Sequence, residues 1–153
     1  MHDTSGGVMA DQATGNQTKH KLVDRYCFRY FIPITHSADN VSEHKHSHTL
    51  EITTYICLLS GFIQDDIPGG VQNGAKKRSL EKFSEIEKYA SAFLKRYEGK
   101  YLNAMEEFNG DASIEHVGDV VYQVMSEYLL KEQLFLERLE IGENPLRVYV
   151  VST

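Results

Sequence analysis

Three histidines stand two residues apart in Glu43-His44-Lys45-His46-Ser47-His48, directly ahead of the alternating run Thr49-Leu50-Glu51-Ile52-Thr53-Thr54-Tyr55-Ile56. In a strand, residues i and i+2 point to the same side, so His46 and His48 can reach one small ion together. Neutral imidazole is a common nitrogen ligand for zinc, which takes three protein ligands and keeps one position open when it works as a catalyst. His44 shares the parity and is the rival ligand. A straight strand rising roughly 3.3 Å per residue spreads its first and third same-side positions too far apart to share an ion easily.

Strands must hold these side chains. Arg25-Tyr26-Cys27-Phe28-Arg29-Tyr30-Phe31-Ile32 is rich in aromatics and reads as a first strand, ended or pushed to an edge by Pro33. His36-Ser37-Ala38-Asp39-Asn40 has turn chemistry. The second strand begins near His46, with Leu50, Ile52, Thr54, Ile56 and Leu58 on the side of His46 and His48, so the two strands predict an antiparallel hairpin with a mid-length loop. Residues 64–78 read as loop on composition. Leu80, Phe83, Ile86, Ala90, Phe93, Leu94 and Tyr97 then recur at helical spacing, with Gly99 placed to stop the helix. Asn109-Gly110-Asp111 marks a turn. Ser113 caps a second helix alone, since His116 stands where a capping box needs Glu or Gln. Val117, Val120, Val121, Val124, Met125, Tyr128 and Leu129 give that helix its apolar stripe. Phe135–Ile141 and Leu146–Val151 close the chain as a hairpin turned by Gly142-Glu143-Asn144-Pro145. The order ββααββ predicts an α+β fold, a four-stranded antiparallel sheet with both helices on one face. Such a sheet leaves two open edges, which subunit assembly can cover.

Bulk composition narrows the function. The 153 residues suit one domain over residues 21–153 behind a flexible polar leader, residues 1–20. A net charge of -6 without a basic stripe argues against nonspecific nucleic-acid binding. The cluster Lys76-Lys77-Arg78 reads as solvated, with a phosphorylated small molecule as the alternative. No apolar run approaches a membrane span, and the N-terminus has no hydrophobic signal core. Cys27 and Cys57 both sit in apolar strand-like runs and read as buried thiols in a reducing, cytoplasmic setting.

Taken in order, these segments resemble the 6-pyruvoyl-tetrahydropterin synthase and 6-carboxy-tetrahydropterin synthase family over about residues 24 to 152. The family's His-Gly-His reads here as His46-Ser47-His48. Its Leu-Asp-His-Lys-Tyr-Leu-Asn reads as Tyr97-Glu98-Gly99-Lys100-Tyr101-Leu102-Asn103. Its Pro-Thr-x-Glu-x-Leu helix start reads as Ala112-Ser113-Ile114-Glu115-His116-Val117, and its terminal Glu-Thr as Glu143-Asn144. The resemblance implies the tunnelling fold, in which subunit sheets join edge to edge into a barrel as a homotrimer or a stacked hexamer, with zinc sites between subunits. It implies His36, His46 and His48 as zinc ligands, Glu143 as the pterin anchor, and Ser113 and Glu115 as pocket lining. It also implies a lyase acting on a reduced pterin of the 7,8-dihydroneopterin triphosphate class.

The chain departs from the pattern in two places. The cysteine that many members carry before His-x-His is absent. Glu43 stands three residues before His46, as in a family variant that cleaves the side chain to a hydroxymethyl-pterin for folate synthesis. Glu43 is therefore a candidate general base, with a solvated loop carboxylate as the plain reading. The family's Asp-His pair becomes Glu98-Gly99. Glu98 can keep the acid, but Gly99 cannot move a proton and is fully explained as a helix cap; His116 is a weak substitute. Glu143 as an ordinary turn residue, and Ser113 with Glu115 as an ordinary helix start, are the plain alternatives for the rest. The alternative function is a non-catalytic pterin-binding or structural oligomer on the same scaffold.

Overall fold

The computed structural model describes residues 24–37, 39–58 and 75–153, with side chains in the last stretch from Lys82 onward. The expected leader lies outside the described residues, as does the expected loop over residues 64–74; only the backbone of Lys76-Lys77-Arg78 is described. Four strands, β1 (Arg25–His36), β2 (His46–Leu58), β3 (Leu134–Asn144) and β4 (Arg147–Ser152), form one antiparallel sheet in the order β1-β2-β3-β4. Two helices, α1 (Ala75–Leu94) and α2 (Ile114–Leu130), lie between the two hairpins in sequence. No helix among the described residues is long and apolar enough to cross a membrane.

Strict alternation builds the hairpin that carries the histidines. Tyr26, Phe28, Ile32, Ile34 and His36 are buried on one side of β1, while Arg25, Cys27, Arg29, Phe31 and Pro33 are exposed. Pro33 does not end the strand, which runs on to His36. β1 is an edge, and the Pro33 carbonyl points outward, accepting the Gly99 N–H at 2.7 Å. In an antiparallel strand a residue's N and C=O face the same way, so the missing N–H breaks no ladder bond. The register sets His36 opposite His46 and Ile34 opposite His48. Cys27 follows the exposed phase of β1, so only Cys57 is buried, correcting the expectation of two buried thiols.

In β3 the alternation changes phase once. Tyr55 pairs with Arg138 and Ile56 with Leu136, so Glu137 is an extra residue in a bulge. Leu134 and Leu136 face the core before it, and Leu139 and Ile141 after it. A β-bulge shifts the two-residue period by one place, and here it brings the odd-numbered residues, Glu143 among them, onto the helix side.

Both helices cover that side. α1 starts at Ala75, three residues before the end of the expected loop, and buries Ile86, Ala90, Phe93 and Leu94. Phe83 is partly exposed but meets Tyr26 and Phe28 at ring centroid separations of 5.5 and 5.0 Å. One 3₁₀ turn, Lys95–Tyr97, follows; Gly99 then takes φ +68°, the left-handed stop its position predicts. In α2, Val117, Val121, Met125 and Leu129 form the buried stripe. Full burial of each such side chain contributes about 1.5–3 kcal/mol. The opposite sheet face carries the ion pairs Arg25–Glu137, Arg29–Glu51 and Arg138–Glu140. Being largely exposed, such pairs stabilise little. Residues 99–101 lie along the His36 end of β1, through Thr35 N–H to Lys100 O at 2.9 Å and a parallel bridge between Thr35 and Tyr101. β4 carries the other open edge among the described residues, with Val148 and Val150 exposed.

Candidate metal centre and adjoining cavity

The end of β1 and the start of β2 bring three imidazoles together. One nitrogen from each of His36, His46 and His48 lies within 4.8 Å of the others. Nitrogen ligands at 2.0–2.1 Å from a tetrahedral zinc sit roughly 3.3 Å apart, a contraction that side-chain rotation of about 1 Å supplies. The ring positions are largely set by hydrogen bonds. His36 Nδ1 lies 2.9 Å from the Ala112 carbonyl and His46 Nδ1 lies 2.8 Å from the His44 carbonyl. A carbonyl only accepts, so in the neutral ring each Nδ1 carries the proton and each Nε2 presents a lone pair. A backbone carbonyl behind a metal-binding imidazole is the usual second-layer arrangement.

His36 is 2% exposed, and its Nε2 is buried with no hydrogen-bond partner. Glu143 Oε1 lies 2.9 Å from that nitrogen, a short approach without hydrogen-bond direction. Its other oxygen is 3.9 Å from His48 Nε2. A lone pair and a carboxylate facing each other at that separation repel unless a proton or a metal cation lies between them. A buried acceptor left unsatisfied costs about 1–3 kcal/mol. The donor set of three neutral imidazoles fits a borderline-soft divalent ion.

A cavity of about 590 Å³ opens beside the cluster. His36, Glu143, Ser113, Glu115, Arg147 and Tyr149 are among its walls, so the last turn of β3, the first residues of β4 and the start of α2 meet there. Gly118 lets α2 come close to the sheet: a Cβ on it would lie 2.7 Å from Tyr149 Cδ1 and 2.9 Å from Ile141 Cγ2. The Tyr149 hydroxyl donates to Asp119 Oδ1 at 2.8 Å, fixing that wall.

The sequence model of 6-pyruvoyl tetrahydropterin synthase matches residues 24–153. The chain belongs to this family. No curated protein matches it in sequence. Among solved structures it is similar to Caenorhabditis elegans 6-pyruvoyl tetrahydropterin synthase, with 12% identity, TM-score 0.58, and coverage of 86% of this chain and 96% of that one. An uncharacterized Wolinella succinogenes protein follows at TM-score 0.48, 12% identity and coverage of 86% and 99%. Plasmodium falciparum 6-pyruvoyl tetrahydropterin synthase follows at TM-score 0.47, 11% identity and coverage of 85% and 97%. The sheet with two helices on one face is the fold of the 6-pyruvoyl tetrahydropterin synthase family, whose members are lyases acting on pterins.

Of the residues that the family resemblance singles out, His36, His46, His48 and Glu143 come together, and Ser113 and Glu115 share the cavity with His36 and Glu143. Glu143 is not in a turn: it lies in β3 at a second irregularity, and the hairpin turns at Pro145-Leu146, with Asn144 Oδ1 accepting the Leu146 N–H. Ser113 occupies the N-cap position, but its side chain makes no cap bond. Asp111 instead accepts the Ser113 N–H at 2.9 Å, and that bond together with the Ser113 hydroxyl holds the Asp111 carboxyl below the usual carboxylate range. Glu43 is exposed in the 3₁₀ turn Ser42–His44, and its side chain has no ion pair or hydrogen bond among the described residues. Glu98 lines a separate hollow with Tyr30, Ser91 and Lys95, whereas Gly99 beside it lines a hollow shared with His48. His116 Nε2 lies 3.1 Å from the Phe108 carbonyl, on the inner side of its own helix start.

His44 is held away from the cluster by Asp39, to which its Nδ1 is bonded. The Asp39 carboxyl lies well below its ordinary range because the Ser37 hydroxyl, His44 and the Val41 N–H all favour its charged form. The family resemblance gives no role to Asp39, Asn103 or the Ala112 carbonyl; their part in holding the histidines becomes visible only when the loops are folded together.

Proposed function

We propose that this chain is a zinc-dependent lyase acting on a reduced pterin of the 7,8-dihydroneopterin triphosphate class, similar to 6-pyruvoyl- or 6-carboxy-tetrahydropterin synthase. It works in the cytoplasm as an edge-joined homotrimer or a hexamer of two trimers. The observation that carries the reading is the buried Nε2 of His36, without a hydrogen bond although Glu143 lies 2.9 Å away, in company with His46 and His48. These three residues would hold zinc, which supplies polarisation of hydroxyl and carbonyl oxygens on the pterin side chain.

Glu143 accepts paired hydrogen bonds from the pterin 2-amino group and ring N–H. To do so, its carboxylate turns from His36 toward the cavity lined by Ser113 and Glu115. Glu43, in the exposed turn ahead of His46, is the proton-moving candidate within the subunit. Glu98 faces another hollow, and in the edge-joined assembly it would act across a subunit joint. With glycine in place of the family's histidine at position 99 and the cysteine missing, Glu43, three residues before His46, is the carboxylate that matches the glutamate variant of the family. This match is the basis of the alternative, a glutamate variant with carbon–carbon cleavage to a hydroxymethyl-dihydropterin.

The contact between Glu143 and His36 favours one second reading. Three imidazoles and a carboxylate would close a four-ligand structural site and leave a non-catalytic pterin- or metal-binding oligomer. Glu143→Ala separates the two. An anchor loses pterin binding and keeps stoichiometric zinc; a fourth ligand loses zinc affinity. Incubating zinc-loaded protein with 7,8-dihydroneopterin triphosphate and resolving products by chromatography tests the lyase directly. Folded, zinc-loaded protein that neither turns over nor binds the pterin removes it.

A further inference from the structure

We propose that Asn103 is the positioning residue of the metal site, acting through the backbone that carries His36; this rests on the metal reading above. Its side-chain amide joins two separate segments. Asn103 Oδ1 accepts the Ser37 N–H at 2.8 Å, and Asn103 Nδ2 donates to the Ser37 carbonyl at 2.8 Å and the Gly110 carbonyl at 3.0 Å. A longer contact of 3.2 Å reaches Asn40 Oδ1. An amide has two N–H bonds to give, so the two carbonyls occupy both and the Asn40 contact shares one.

Ser37 directly follows His36, and one side chain fixes both of its backbone groups. Gly110 lies two residues before Ala112, whose carbonyl orients the His36 ring. His36 is thereby held at its main chain by one segment and at its ring by another, and Asn103 fastens the two together. The junction is tight: a Cβ on Gly110, which has φ +82°, would come within 3.0 Å of Asn40 Nδ2. Of the three imidazoles only that of His36 is buried; His46 is exposed and His48 half-buried. The buried ring has the least freedom to follow an ion, so its placement decides where the ion sits.

Outer partners that orient a metal ligand are typically worth 10–100-fold in affinity. The test uses the full chain and cobalt(II) as probe, read by its visible absorption and by competition with a chelator. Asn103→Ala and the near-isosteric Asn103→Asp are each expected to weaken cobalt binding 10–100-fold and to reduce the intensity of the tetrahedral cobalt bands. Asp keeps the acceptor for Ser37 N–H but sets an oxygen against the Ser37 and Gly110 carbonyls, so it carries the decision where Ala does not fold. In a His36→Ala background, neither change should weaken binding further. Wild-type affinity in a folded Asn103 variant, or an equal loss with His36 already removed, overturns the inference and leaves the metal reading standing. A wild-type chain that takes up no cobalt removes both.

Discussion

Glu143→Gln is expected to make the metal-free protein more stable, and zinc binding must then displace the new bond to His36. The wild-type carboxylate meets the buried His36 Nε2 at 2.9 Å, and the ring's proton is already committed to the Ala112 carbonyl. Glutamine puts an N–H donor in place of one oxygen at nearly constant shape. The new bond to an otherwise unpartnered acceptor is worth about 1 kcal/mol, and satisfying a buried group adds in the same direction, for a total of about 1–2 kcal/mol. For a domain of this size that is a rise of roughly 3–8 °C in Tm. The assay is thermal and urea unfolding with chelator present at pH 8, followed by zinc titration. A Gln variant less stable than wild type under these conditions would refute the reasoning. It would mean that the carboxylate is already paired with a protonated ring and that no lone pair waits for an ion.

Further expectations concern the walls and the loop. Gly118→Ala gains about 1 kcal/mol of helix propensity but meets Tyr149 and Ile141 below 3 Å, where overpacking costs about 1–3 kcal/mol. A net loss of about 1 kcal/mol in urea unfolding is expected, shrinking in a Tyr149→Ala background; a stabilised single variant would show that the wall yields freely. Asp39 has a folded-state value below its unfolded one, so its contribution is present above about pH 4 and is lost as the pH falls further. The Tm gap between wild type and Asp39→Asn should accordingly be largest near neutral pH and narrow below about pH 4. An unchanging gap at pH 6 and pH 3 rules this out. His46→Ala is expected to abolish stoichiometric zinc binding while His44→Ala retains it, because Asp39 holds His44 aside; metal analysis showing the reverse exchanges the two ligands.

How much of this was legible in the sequence depended on whether alternation ran unbroken. β1 and β2 alternate strictly across the histidine region, so the shared side of His46, His48, Leu50 and Ile52 followed from a two-residue period. Gly99 declared itself through its backbone preference. Glu143 was different. Counting in twos from Leu134 and Leu136 places it away from the helices, and only the extra residue at Glu137 reverses that. A bulge carries no strong local signature, so resemblance to the family, rather than spacing, brought Glu143 into the site. Pro33, read as ending its strand or marking an edge, lies inside an edge strand, whereas Cys27 was misread because the uncovered face is a property of the assembled sheet. Asn103 stood at the end of a matched family segment without a role, since what it does depends on Ser37 and Gly110 arriving from either side.

The bulge at Glu137 ties the hydrophobic interior and the reactive end of the sheet to a single phase. Removing one residue between Leu136 and Leu139 would turn Leu139 and Ile141 toward solvent and, by the same half-turn, swing Glu143 off the imidazoles. Length changes in this stretch therefore cannot retune the chemistry while sparing the scaffold. Within this stretch, point substitution is the gradual route by which the site can change.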